Sequence, residues 1–384
     1  MKLFTLMAAS LLVTASATAQ RHKLTINAET PEGQMLQQIG MEQDAAKKVA
    51  LLEEFAAKHP NHEAIGWVYS QLIPAYANAK EFDKVIAIGE KQLAADGEDI
   101  EAALAVLKAA EAKRDGDLVL KYAPLTSDLA RKIAGEKKPD DEDEVEAWKR
   151  KVSYATQVDT YSEYALSATA LALQTTDPAK AIALVEMLES RNPKSQYLAH
   201  SYQAYFTALR QAKQLDKAVA VAEKVLQTDQ TNEDMLLFAA DYYMQKNQNP
   251  DKVLAYSAKI IEVLPKKAKP EGVSDADWQN KKNLTLGLAH WMTGVTYANQ
   301  NKFSQADSSL RTALPLIQGN EQLKAGTLFY LGIANYKLGE AGKGDSKRIL
   351  DALKFNQECA AIKSPYQAQA KKNIAAIRSQ YRIQ

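Results

Sequence analysis

The chain has 384 residues, 46% of them hydrophobic and 25% charged, with 48 Lys and Arg against 47 Asp and Glu for a net charge of +1. These figures exclude a disordered chain, and the lack of basic excess excludes binding to nucleic acid or anionic lipid driven by net charge. The low Gly and Pro counts, 16 and 12, argue against a β-rich fold, and the length fits two or three domains or one long solenoid.

The first nineteen residues read as a secretory signal. Lys2 starts it, Leu3 to Val13 is its apolar core, and Ala17-Thr18-Ala19 precedes Gln20 as a small-x-small cleavage site. The apolar run is shorter than the ~20 residues a spanning helix needs, so the mature chain is expected to be exported to a bacterial periplasm or beyond, with no transmembrane segment. No cysteine stands at the cleavage site to carry a lipid. The single cysteine, Cys359, excludes an intramolecular disulfide and a thiolate metal site.

Residues 20–40 are polar, contain Pro31 and Gly33, and read as a flexible lead-in. From Met41 onward apolar residues recur at three- and four-residue steps, the helical period. In residues 41–135 Val49, Leu52, Phe55 and Ala56 form a first face closed by His59-Pro60. Tyr69, Leu72, Ile73 and Tyr76 form a helix whose return carries Phe82, Val85, Ile86 and Leu93. Glu98 to Lys113 and Leu118 to Ile133 make a looser pair, with Gly116 in the turn. Residues 136–143 form an acidic linker after Gly135. Glu144 to Leu173 reads as one long helix, and Asp177-Pro178 starts a partner that ends at Asn192-Pro193.

The remaining copies follow in residues 144–384. Tyr202, Tyr205 and Phe206 are answered by Ala218, Ala222 and Val225. Leu237, Ala240 and Met244 are answered by Val253 and Ile260. A lysine-rich insertion at 266–280 interrupts the frame. The clearest copy spans His290 to Ala313, with Thr293-Gly294, Tyr297, Ala306 and Ala313 at its contact positions. A last copy opens with Leu328, Leu331 and Gly332, turns over Gly339 to Asp345, and returns through Asp351 to Ile362. Residues 365–381 then form a capping helix rich in Gln and Lys.

Small residues at fixed spacing let antiparallel helices approach, and one pair cannot bury its apolar face, so copies must stack. Ala181, Pro193, Ala218, Gly294, Tyr297, Ala306 and Ala313 are the expected packing positions. With these residues the chain resembles the tetratricopeptide repeat family, whose period is about 34 residues. Ala181 and Pro193 match its central alanine and terminal proline; Thr293, Gly294, Tyr297, Ala306 and Ala313 match five positions in the best copy. Val85 and Val253 replace the central alanine elsewhere, and Gln318 replaces the proline of the best copy.

The resemblance implies an all-α, right-handed α-solenoid of stacked antiparallel helix pairs whose first helices line a concave groove. It places Gln203, Thr207, Arg210, Phe238, Tyr242, Gln245, Trp291, Val295, Phe329 and Tyr336 toward that groove. Aromatic rings with Arg and Gln suit a protein or peptide partner, while the competing reading packs these rings between repeats.

No residue pattern implies catalysis, a cofactor or a metal. His59 and His62 have only Glu63 beside them, and the acidic run Asp140 to Glu144 lacks the alternation and glycine of a calcium loop. Gly342-Lys343-Gly344 fails the phosphate-loop spacing. The sequence therefore predicts a non-catalytic exported scaffold. The alternatives are a structural component of an envelope assembly, with contacts spread over convex helices and the insertion, and a helical-toroid enzyme acting on glycans through carboxylates from separate helices.

Overall fold

A computed structural model describes residues 26–317, 319–342 and 345–382. The expected export signal lies outside them, as do Gln318, Lys343 and Gly344.

The described residues form seventeen α-helices and no strand. In chain order they are α1 (Pro31–Met41), α2 (Ala45–Lys58), α3 (Ile65–Asn78), α4 (Phe82–Ala95), α5 (Ile100–Ala112), α6 (Gly116–Ala134), α7 (Glu142–Leu173), α8 (Pro178–Arg191), α9 (Leu198–Gln211), α10 (Leu215–Thr228), α11 (Glu233–Gln245), α12 (Pro250–Val263), α13 (Asp275–Asn299), α14 (Phe303–Leu316), α15 (Glu321–Ala341), α16 (Ser346–Ala361) and α17 (Gln367–Tyr381). Two compact units divide the chain between Lys213 and Gln214. In the first, each helix packs on its chain neighbour, and α3, α5, α7 and α9 also pack on one another in succession. In the second, α11, α13 and α15 do the same, and α17 covers α16. This is the arrangement of stacked helix pairs with a terminal capping helix.

Five of the turns between helices share one device. Lys80, Arg114, Lys213, Asn247 and Asn301 all take left-handed backbone angles, with φ between 52° and 59°. Lys80 and Arg114 lie 34 residues apart, as do Lys213 and Asn247. After the first and second of these, and after Asn247 and Asn301, the next amide reaches back across the turn: Glu81 N to Tyr76 O, Asp115 N to Ala110 O, Gln248 N to Tyr243 O and Lys302 N to Tyr297 O, each at 2.9 Å. The bond satisfies a carbonyl that the helix end leaves open.

Small residues set the spacing of the pairs. Ala181, Ala218, Ala306 and Ala313 are fully buried. A Cβ on Gly294 would lie 2.5 Å from Leu310 Cγ, and one on Gly332 would lie 2.4 Å from Asn356 Nδ2, so a side chain at either place would force its neighbour to shift. Tyr297 is half-buried, packed against the cluster built on Leu310, Leu328 and Leu331. Pro193 is exposed just beyond α8.

Three segments differ from the sequence reading. The lead-in is helical over α1, because Thr30 Oγ1 accepts from Gly33 N at 3.1 Å and Leu36 and Ile39 are buried. Gly339 does not turn the chain; it sits inside α15, where a side chain would strike Ile349 Cδ1 at 2.4 Å. The insertion is partly helical too, since Ser274 caps α13 by accepting from Asp277 N at 3.1 Å.

Candidate functional site

The first helices carry every groove residue expected from the sequence, divided between the two units. Gln203 and Arg210 lie on α9 and are exposed; the Arg210 guanidinium stands over the Phe206 ring at 5.5 Å. Thr207, one turn from Gln203, donates to its carbonyl at 2.9 Å.

In the second unit α11, α13 and α15 present a run of half-buried rings. Phe238 and Tyr242 on α11 pack with Trp291 of α13 around Ala239, Ala240 and Met292. The Tyr242 hydroxyl donates to Asp216 at 2.7 Å, which pushes its pKa up to about 12, and Lys246 lies 5.7 Å from the ring centre. Gln245 is exposed, and its amide donates to Asp241 at 2.6 Å. Trp291 also belongs to the next cluster, where Phe329 and Tyr330 of α15 meet Tyr366. Phe329 stacks on Tyr366 with centroids 4.9 Å apart. Gly326 keeps this junction open: a Cβ there would lie 3.2 Å from Tyr366 and 3.6 Å from Trp291 Nε1. That indole nitrogen is buried and has no hydrogen-bond acceptor among the described residues.

Trp291 thus joins two aromatic clusters. Tyr336 is not in either; its hydroxyl donates to Gln380 at 2.7 Å and its ring packs with Ile374 and Ile377 of α17. Val295 is core, 5% exposed.

The first unit holds a surface that sequence reasoning missed. Lys108 and Glu111 lie three residues apart on α5, facing Tyr161 on α7. The Lys108 ammonium stands 5.3 Å from the Tyr161 ring centre, and the Tyr161 hydroxyl donates to Glu111 at 3.4 Å. Tyr161 neighbours Tyr164 at 5.6 Å, which meets Tyr197, at the start of α9, at 5.8 Å. Burial lowers the Lys108 pKa and raises that of Glu111. The signal was present, a Tyr-x-x-Tyr on one first helix and a Lys-x-x-Glu on the one before it. The repeat match is weakest in that stretch, so no frame marked those positions as facing each other.

A second missed pattern ties return helices together. Glu53 accepts from Tyr76 at 2.6 Å and Lys84 at 3.3 Å. Glu90 accepts from Tyr122 at 2.6 Å and Lys121 at 2.9 Å. Glu223 accepts from Lys252 at 2.6 Å, Tyr256 at 2.7 Å and Tyr243 at 2.9 Å. Burial pulls the Glu223 carboxyl upward, but the bonds from Lys252, Tyr256 and Tyr243 outweigh it and hold the pKa low. Glu223 edges a cleft of about 420 Å³ between α10, α11 and α12, with Leu226 and Leu236 among its lining. It is the only carboxylate lining that cleft.

Two lysines of the insertion, Lys267 and Lys269, and two just after it, Lys281 and Lys282, have partners within their own unit, although Lys266, Lys267 and Lys269 are exposed. Lys267 and Lys281 both pair with Glu233, which is buried, Lys269 pairs with Asp275 at 2.5 Å, and Lys282 donates to the Pro265 carbonyl at 3.1 Å. His59 and His62 pack against Phe55 with ring centroids 5.1 and 5.4 Å away. Among the described residues no three His, Cys, Asp or Glu side chains gather in a metal-binding group, and no helix is long and apolar enough to cross a membrane.

No family profile matches the chain, and no curated protein matches it in sequence. Among solved structures it is similar to the TPR domain of P58(IPK), at 10% identity over 92% of this chain and 99% of that one, with a TM-score of 0.25. It is similar to the APC/C hetero-tetramer Cut9–Hcn1 at 12% identity over 93% and 91%, with a TM-score of 0.28. It is similar to yeast Tom70 at 12% identity over 93% and 97%, with a TM-score of 0.22. At these values the likeness adds nothing to the helix pairing, and the tetratricopeptide-like fold rests on the paired helices and on the 34-residue spacing from Lys80 to Arg114 and from Lys213 to Asn247.

Proposed function

We propose that the chain is a non-catalytic scaffold that binds a protein segment along its first helices, with the surface around Trp291 as the principal contact in the second unit. The observation that supports this most is the junction at Trp291, where rings from three successive first helices remain half-buried. Half-exposed Trp and Tyr with exposed Gln beside them supply contact area and orientation together. A pair-packing role alone would favour full burial of those rings.

The reading extends to the cell envelope through the export signal at residues 1–19, which would place the mature chain in the periplasm or outside the cell. Mass measurement of the secreted protein checks this; a mature start at Gln20 is expected. A structural role in an envelope assembly through the 266–280 insertion is the second reading. It is less well supported, because two of the three lysines of that insertion, Lys267 and Lys269, are engaged within their own unit.

The binding surface is tested by crosslinking and mass spectrometry in the native envelope, comparing the unaltered chain with Trp291→Ala and Tyr242→Ala. Loss of about tenfold in affinity for the crosslinked partner is expected for Trp291→Ala, the size of a strong interface contact. Unchanged binding by both variants, with melting curves showing them folded, would place the contact elsewhere.

A further inference from the structure

The first unit carries a cation that its own fold leaves without a counter-ion. Lys108 is half-buried on α5, and among the described residues it makes no ion pair and no hydrogen bond; its one partner is the Tyr161 ring, 5.3 Å away. The nearest acid on the same helix face, Glu111, accepts from the Tyr161 hydroxyl instead, at 3.4 Å. Other exposed or half-buried lysines of this unit, such as Lys84, Lys121 and Lys180, are paired with carboxylates. Removing part of an ammonium's water is costly unless an anion replaces it, and a ring face replaces it only in part. Burial accordingly holds the Lys108 pKa below the ordinary lysine value, with no carboxylate contributing to raise it.

Beside this cation the surface is aromatic. Tyr161, Tyr164 and Tyr197 form a continuous row of half-buried rings from α7 to the start of α9. The tyrosine row offers flat apolar area, Glu111 offers an acceptor for an amide N–H, and Lys108 offers one unmet positive charge. That combination fits an extended chain bearing a carboxylate beside an apolar or aromatic residue.

We propose that the first-helix face of the first unit binds an extended protein segment through an acidic side chain placed on Lys108, with the neighbouring residue of that segment lying on Tyr164 and Tyr197. The proposal rests on the scaffold reading and adds to it a second contact surface, apart from Trp291, with a stated chemical preference. The carboxylate is a side chain within the segment, so a free chain end is not required. The charge pair forms in a partly desolvated place, where charge-assisted contacts are stronger than on open surface.

The test uses the full chain and an array of short synthetic peptides capped at both ends. One central position is Asp, Glu, Asn, Gln or phosphoserine beside a fixed Phe. The Asp and Glu peptides are expected to be retained about tenfold better than their Asn and Gln counterparts, the yield of one charge-assisted contact. Lys108→Gln should bring acid and amide peptides to parity, and Lys108→Arg should keep the preference. Both variants keep the length of a half-buried side chain close to that of lysine, and coincident melting curves confirm the fold. Equal retention of acid and amide peptides by the unaltered chain would overturn the proposal, as would a preference kept in Lys108→Gln or one shown for phosphoserine alone. Retention that depends on Trp291 and not on Lys108 overturns this inference and leaves the scaffold reading standing. No retention of any peptide counts against both.

Discussion

At the scale of single residues, the fold depends on atoms that are absent. Gly294 lets α13 and α14 approach until Leu310 Cγ lies where a side chain would begin, 2.5 Å from an ideal Cβ. Gly294→Ala is therefore expected to destabilise the second unit by roughly 1–3 kcal/mol, the usual range for overpacking, against the small gain that helix propensity alone would give. Urea unfolding checks it, and a stabilised variant would show that Leu310 moves aside freely. Cys359 fits the same theme of tight packing. It is fully buried, its thiol lies 3.4 Å from the Ala325 carbonyl, and burial pushes its pKa up to about 11. The small-residue positions were legible from spacing because close helix contact accepts few side chains. The partners of Trp291 and Lys108 were not, since spacing along one helix does not say which ring stands opposite.

At the scale of elements, stacking is fastened by repeated polar ties between return helices. Glu223 receives three donors from α11 and α12, and its carboxyl is held below its ordinary value of 4.5. A carboxylate with a depressed folded pKa stabilises fully above its unfolded value, and that contribution fades as pH falls through the folded one. Glu223→Gln should therefore cost about 1–2 kcal/mol at neutral pH, through loss of charge-assisted bonds. The gap between variant and unaltered chain should close in acid. Thermal melting across that range checks it, and a gap that stays constant would show that the charge is not what matters. Asp307 makes a comparable tie among α14, α15 and α16, accepting from Arg311 at 2.8 Å, Arg348 at 2.7 Å and Asn335 at 2.7 Å. Apart from Arg311, four positions from Asp307 on the same helix, the partners stand 20 to 41 positions apart, so those ties exist only once the helices have stacked.

At the scale of the whole molecule, contacts between helices are almost all with the next helix or the next but one. Stability in such an array adds up from local terms, so damage should stay near its origin. The four tryptophans report on this, with Trp67 and Trp148 in the first unit and Trp278 and Trp291 in the second. Asp307→Ala removes the carboxylate that Arg348 and Arg311 share, leaving them Asn335 and, for Arg311, Asp351, and is expected to cost about 2 kcal/mol. In a background with Trp67 and Trp148 replaced by Phe, fluorescence should show the urea transition moved to lower concentration. With Trp278 and Trp291 replaced instead, the transition should barely move. Equal shifts in both backgrounds would mean that the chain unfolds as one cooperative body.

The sequence by itself determined that the chain is helical, that its helices come in pairs, and where most of them begin and end. Those features follow from a three- to four-residue apolar period, from Pro and Asp at helix starts, and from small residues at contact positions, all of which act over a few residues. Only the tertiary structure decided that the lead-in joins the array as α1, that Lys267 of the insertion and Lys281 after it share Glu233, and that Lys108 meets a ring in place of an acid. Each of these depends on a side chain from a distant segment, and no pattern within one helix records which partner the fold will bring to it.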